Sequence, residues 1–287
     1  MGYIKRLWLV KKRLILSIGI ASFTALLIIT LQLNFLQPSW GATSDLPPLQ
    51  PHPLPATLAN WVDNTNSGDY FTQIRPSPAG YLMWFDFPIK VYVEHPSQNL
   101  GVGTQTKAEV QKTNPQPVTP VNPIDPKLLK FQEWVDNVAQ GIQPWKVYLP
   151  LEIVPEAENA DIKVLRVRPL LQLTPNGPRA RSAEVRYQVY LRKSPNSSTP
   201  VLYPKYDISI SPDLSANYIR AAALHEIGHA LGIWGHSPKE TDALYFTQVR
   251  NPPPISPRDI NTLKLIYQQP TRLGWSIPVV GAKGSTN

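Results

Sequence analysis

The chain contains no cysteine. Disulfides, thiolate metal sites, a cysteine nucleophile and lipid attachment through sulfur are therefore excluded, and any bound metal must be held by His, Asp or Glu. No acidic residue precedes Asp45, whereas Lys5, Arg6, Lys11, Lys12 and Arg13 all do. These five account for most of the formal +8; beyond them 23 basic residues face 20 acidic ones. That balance is too even for a nucleic-acid footprint, and no nucleic-acid partner is expected. Long uninterrupted helices are scarce too, because 32 of the 287 residues are proline, about twice the usual ~5% share. A coiled coil is excluded.

What is present begins with one long apolar run. Residues 14 to 36 carry no charge, enough to cross a bilayer as a helix, with the cationic flank left in the cytoplasm and the remainder exported. Two readings stand: an uncleaved signal anchor that makes residues 14 to 36 the membrane partner, or a signal peptide cut near Gly41 that releases a secreted protein. Residues 1 to 37 form this segment. Residues 38 to 80 follow as a spacer with six prolines between Pro38 and Pro55, expected to stay unfolded, and a stretch with no assignable pattern. A second proline-rich stretch, residues 99 to 126, reads as a surface loop. The last residues, 270 to 287, read as a flexible tail.

Between these lies a patterned region, residues 81 to 269. Ile89, Val91 and Val93 alternate with polar neighbours, as in a half-buried strand. Asp125 and Pro126 form an N-cap and first helical residue, and Leu128, Phe131, Val135, Val138 and Ile142 then recur at helical spacing until Gly141 and Pro144. Alternation returns over residues 146 to 154, 160 to 167, 182 to 192 and 205 to 211. The expected fold class is α+β: a mixed five-stranded sheet with two long helices. The tetrapeptide Trp-Val-Asp-Asn at 61 and again at 134 reads as coincidence, not duplication. His52 and His95, each next to a proline, read as ordinary surface residues.

Only five histidines exist, and His225, His229 and His236 are three of them, with Glu226 inside the group. Residues 215 to 234 are proline-free and alanine-rich, and Leu224, Ile227, Leu231 and Trp234 form one apolar stripe. His225 and His229, four apart, stack on the other face, where two imidazoles can reach one zinc ion. Glu226 adjoins them and can take a proton from a metal-bound water. Gly232 can end the helix in a left-handed turn that brings His236 back as a third nitrogen, leaving one coordination position for water.

The run His225-Glu226-Ile227-Gly228-His229-Ala230-Leu231-Gly232-Ile233-Trp234-Gly235-His236 resembles the zinc motif of the metzincin metalloproteases, and within them the matrixins. It departs at one point: the family's third histidine falls three residues after the glycine, where Gly235 stands, and His236 follows one later. Asp242 or Glu240 is the alternative third ligand. Asp242-Ala243-Leu244-Tyr245-Phe246 is similar to the turn beneath the metal, with Leu244 at the family's methionine position and Tyr245 as a structural tyrosine. Residues 255 to 261 look like the start of the family's last helix, with Ser256 as cap and Asp259 closing a capping box.

The resemblance implies a zincin-like catalytic domain over residues 81 to 269, with residues 182 to 192 as an edge strand for an extended peptide. It implies a Zn2+-dependent endopeptidase acting on a peptide or protein substrate outside the cytoplasm. Structural Ca2+ is compatible with the family but has no legible pattern, and no pattern sets the oligomeric state. Two rivals use the same residues: a zinc amidohydrolase with a non-peptide substrate, and a membrane-tethered scaffold that has lost catalysis.

Overall fold

The computed structural model describes residues 46–96, 125–175, 177–193 and 199–277. The apolar run at 14 to 36, most of the loop at 99 to 126 and the end of the tail lie outside the described residues. Among the described residues no helix is long and apolar enough to cross a membrane.

A mixed sheet forms the frame, in the order β2-β1-β3-β7-β6. Its strands are β1 (Ile89–Val93), β2 (Leu151–Val154), β3 (Ile162–Leu165), β6 (Ala183–Lys193) and β7 (Pro200–Ile210). β2, β1, β3 and β7 run parallel, and β6 closes one edge antiparallel to β7. Between β3 and β6 the chain adds a two-stranded hairpin, β4 (Gln172–Thr174) and β5 (Gly177–Arg179). Among the described residues four α-helices accompany the sheet: α1 (Ala56–Ala59), α2 (Pro126–Ile142), α3 (Ala216–Ala230) and α4 (Pro257–Tyr267).

The alternation in β1 is realised as expected, with Ile89, Val91 and Val93 all buried. They join Ile162, Val164, Tyr206 and Ile208 from neighbouring strands, Trp134, Val138 and Ile142 from α2, and Ala223 and Ile227 from α3 in one apolar core. The Asp125 carboxylate caps α2 by accepting from the Lys127 backbone N–H at 2.8 Å. The two Trp-Val-Asp-Asn segments have different structures, one in a loop and the other inside α2.

Several expectations need correction. Residues 146 to 154 are not one strand: Gln143–Val147 form a 3-10 turn and only Leu151–Val154 pair. The turn points the fully buried Trp145 inward, where its indole N–H donates to the Leu224 carbonyl at 2.9 Å. β7 starts at Pro200, upstream of the expected 205. Tyr206 N–H bonds Asp161 and the Leu202 carbonyl accepts from Gly274, so even-numbered residues of β7 face away from β6. Pro200 and Pro204 therefore lie where β3 does not reach, and their missing N–H groups leave no ladder bond unmade.

The described part of the proline-rich spacer is packed, not free. Gln50 and Thr271 exchange backbone hydrogen bonds of 2.9 and 3.0 Å. His52 is no ordinary surface residue: it stacks on Trp275 at 4.5 Å and on Phe85 at 5.4 Å, and its Nε2 meets the Leu273 carbonyl at 2.7 Å. Thr271 and Leu273, within the segment read as a tail, are fully buried. The segments at His52 and Leu273, 221 residues apart, supply each other's packing surface, a long-range pairing that local composition does not reveal.

Candidate metal centre and cleft

The helix expected over residues 215 to 234 runs as α3 from Ala216 to Ala230. It stops there because Gly232 takes φ of +131°, open only to glycine at little cost, and Ile233 N–H turns back to the Gly228 carbonyl at 3.1 Å. Trp234 thus lies beyond the helix, half-buried and edge-on to Tyr187 of β6 at 4.9 Å.

From beneath, α3 is held by two indoles, Trp145 at Leu224 and Trp84 at Ala230, the latter at 2.8 Å. Gly228 completes this underside. A Cβ there would lie 2.7 Å from Leu244 Cδ2 and 2.9 Å from Trp145 Cζ2, so only glycine lets the fully buried Leu244 press against the helix. Leu244 thus packs against α3 at Gly228, beside His229. Tyr245 is half-buried, its ring against Phe246 at 4.5 Å.

Three imidazoles meet above this floor. His229 Nε2 is 3.1 Å from His225 Nε2 and 3.2 Å from His236 Nε2. The other ring nitrogens explain the aim: His225 Nδ1 faces the Ala243 carbonyl at 2.8 Å and His229 Nδ1 faces the Ile233 carbonyl at 2.7 Å. Each Nδ1 must carry a proton to donate there, so both Nε2 atoms present bare lone pairs in the neutral rings. Two lone pairs at that distance repel unless a cation lies between them. Nitrogens ~2.0 to 2.1 Å from one tetrahedral ion would be about 3.3 Å apart, close to what is found. The residues present therefore fit a divalent metal, and Nδ1–carbonyl bonds are the usual device for orienting imidazole ligands.

Burial keeps the rings neutral. It pushes His225 down to about 4, pushes His229 well below its ordinary value, and lowers His236. Glu226 shifts the other way: burial pushes its carboxyl up to about 8, the nearby Glu184 charge adds to this, and Arg181 and a hydrogen bond from the Val185 backbone oppose it.

Neither alternative third ligand joins the group. Glu240 is exposed. Asp242 is buried, with its Oδ2 accepting from Ser237 Oγ at 2.5 Å and Arg258 Nε at 3.0 Å. The same loop carries His236, and in it Ser237 N–H also bonds the Leu244 carbonyl at 2.8 Å.

Asp259 carries a role that its capping box did not announce. The box is present, with Ser256 Oγ accepting from Asp259 N–H and Asp259 Oδ2 accepting from Ser256 N–H. The same buried carboxylate also accepts from Tyr70 Oη at 2.6 Å and from Ala243 N–H at 2.9 Å. It therefore supports the turn whose carbonyl orients His225. The capping residue was legible in sequence; its partners at positions 70 and 243 were not.

The histidines and Glu226 open into a cleft of about 1190 Å3. Its walls come from the strap 73 to 78, the β4–β5 hairpin, β6 and the segment 245 to 253, including Pro252 and Pro253. β6 is an edge strand. By its register with β7, the backbone groups of Val185, Tyr187 and Val189 point away from the sheet. No protein-family model and no curated protein sequence matches the chain.

Proposed function

We propose that the chain is a zinc-dependent endopeptidase of matrixin-like metzincin type, acting outside the cytoplasm and tethered through residues 14 to 36 or released by cleavage near Gly41. The observation that carries this reading is the convergence of three Nε2 atoms, two of them with fixed lone pairs, beside Glu226 in an open cleft. A zinc ion held by His225, His229 and His236 would supply a Lewis acid for the scissile carbonyl and bring a water pKa toward neutrality.

The chain's own groups do the rest. Tyr187 and Val189 offer backbone donors and acceptors along which an extended peptide pairs as an added strand, while the Val185 N–H is engaged by Glu226. Glu226 in its ionised form accepts the proton of the attacking water and delivers it to the departing amine nitrogen as the C–N bond breaks. No covalent bond to the protein forms. Burial and the Val185 contact hold Glu226 in place for both transfers. An open groove beside a strand edge favours peptides over compact amides, which supports the peptidase reading over a non-peptide amidohydrolase. Replacing Glu226 by Gln in the zinc-loaded protein is expected to reduce peptide cleavage by about 10² to 10⁴-fold while metal content stays unchanged. Cleavage at the unaltered rate would contradict the assignment.

A further inference from the structure

The cleft has an uncompensated charge. The charged residues lining it are Arg75, Arg179, Arg181, Glu184, Glu226 and Asp242. Asp242 is matched by Arg258 and Ser237. Glu184 is matched twice, by Arg181 at 2.8 Å and Arg186 at 3.1 Å. Arg181 also reaches Gln172 at 3.2 Å. The guanidinium groups of Arg75 and Arg179 have no hydrogen-bond or ion-pair partner among the described residues, and both residues are exposed at the rim.

Both arginines stand on anchored backbone. Arg75 N–H donates to the Trp234 carbonyl at 3.3 Å, and the strap lies so close to the third-histidine loop that a Cβ on Gly235 would be 2.4 Å from the Gln73 carbonyl. Arg179 closes the hairpin opposite Gln172. Two different walls of one cleft thus each present an unpaired, planar, permanently charged fork.

We propose that Arg75 and Arg179 select peptides bearing Asp or Glu side chains near the scissile bond. The inference rests on the reading above in one respect, that a peptide occupies this cleft. A carboxylate side chain is the planar, bidentate match to a guanidinium. Two positive charges without partners among the described residues attract acidic segments and repel Lys- or Arg-rich ones before contact is made. Each pair at an exposed rim is modest, so the selectivity is about five- to tenfold in total, and salt weakens it.

The test uses the zinc-loaded full chain carrying Glu226→Gln, so that peptides stay intact. Two pools of end-blocked peptides are matched except that one carries Asp and Glu where the other carries Asn and Gln. A third pool is neutral with a free C-terminal carboxylate. The expected result is about five- to tenfold tighter binding of the acidic pool than of either other pool, shrinking toward equality in ~1 M NaCl. It also shrinks below about twofold in an added Arg75→Gln/Arg179→Gln background. Equal binding of the blocked pools, a preference confined to the free carboxylate, or no binding at all overturns the proposal. The same pools offered to the protein with Glu226 intact separate the two ideas. Acid-selective binding without cleavage removes the peptidase and leaves the selectivity, and cleavage with no acid preference does the reverse.

Discussion

His225 Nδ1 lies 2.8 Å from the Ala243 carbonyl, and the N–H of that same Ala243 donates to Asp259 at 2.9 Å. A carboxylate at the start of α4 thereby sets the direction of an imidazole on α3. Asp259 accepts two donors on each oxygen, Tyr70 Oη and Leu244 N–H on one and Ala243 and Ser256 N–H on the other, so Asp259→Asn takes the acceptor from two of them in a fully buried site. The expected outcome is a loss of about 1 to 3 kcal/mol in urea unfolding. Zinc affinity, read by competition with a chelating dye, should fall by about tenfold or more. A variant with unchanged affinity would show that the turn does not orient His225.

Asp242 plays the matching part for His236. Removing it as Asp242→Ala strands the Arg258 charge, whose side chain is 13% exposed, and leaves Ser237 Oγ without its acceptor. A buried pair broken on one side costs about 3 to 5 kcal/mol. Chemical denaturation should show that cost, and zinc should dissociate faster because the loop carrying His236 is loosened.

Gly228→Ala places a methyl group against Leu244 and Trp145. Overpacking of about 1 to 3 kcal/mol outweighs the ~1 kcal/mol gained in helix propensity. Thermal melting should show a lowered midpoint, and adding Leu244→Val should recover part of it. Additivity of the two changes would mean that the contact is not the cause.

The His52 clasp makes stability pH-dependent. Burial lowers the His52 pKa below its ordinary 6.5, although the Leu273 carbonyl opposes the shift. A lowered value means that the unfolded chain binds the proton first. The clasp's contribution is full above pH ~6.5 and declines as pH falls through that value. His52→Phe keeps a ring between Phe85 and Trp275 but does not titrate. The difference in melting temperature between pH 7.5 and pH 5 should be larger for the native chain than for this variant; equal differences would count against the clasp.

How much of this was legible in the sequence follows from the range of the forces involved. Strand β1, helix α2 with its Asp125 cap and helix α4 with its Ser256–Asp259 box are set by neighbours a few residues apart, and periodicity reveals them. The pair His225 and His229, one helical turn apart, is equally local. His236 depended on a turn at Gly232 that the glycine signals, and the structure brings it to the pair despite the one-residue shift. Illegible were the contacts that join distant segments: Tyr70 with Asp259, Trp84 with Ala230, His52 with Trp275. The β4–β5 hairpin also escaped, because three-residue strands with no buried position have no face to create alternation.

Metal content tests the central claim most directly. The full-length protein, purified without chelator and given one equivalent of zinc, is expected to retain about one ion per chain by elemental analysis, and the His229→Ala protein to retain none. A folded native chain that emerges from the same treatment without zinc, or a His229→Ala variant that holds as much as the native chain, would contradict a metal centre at His225, His229 and His236.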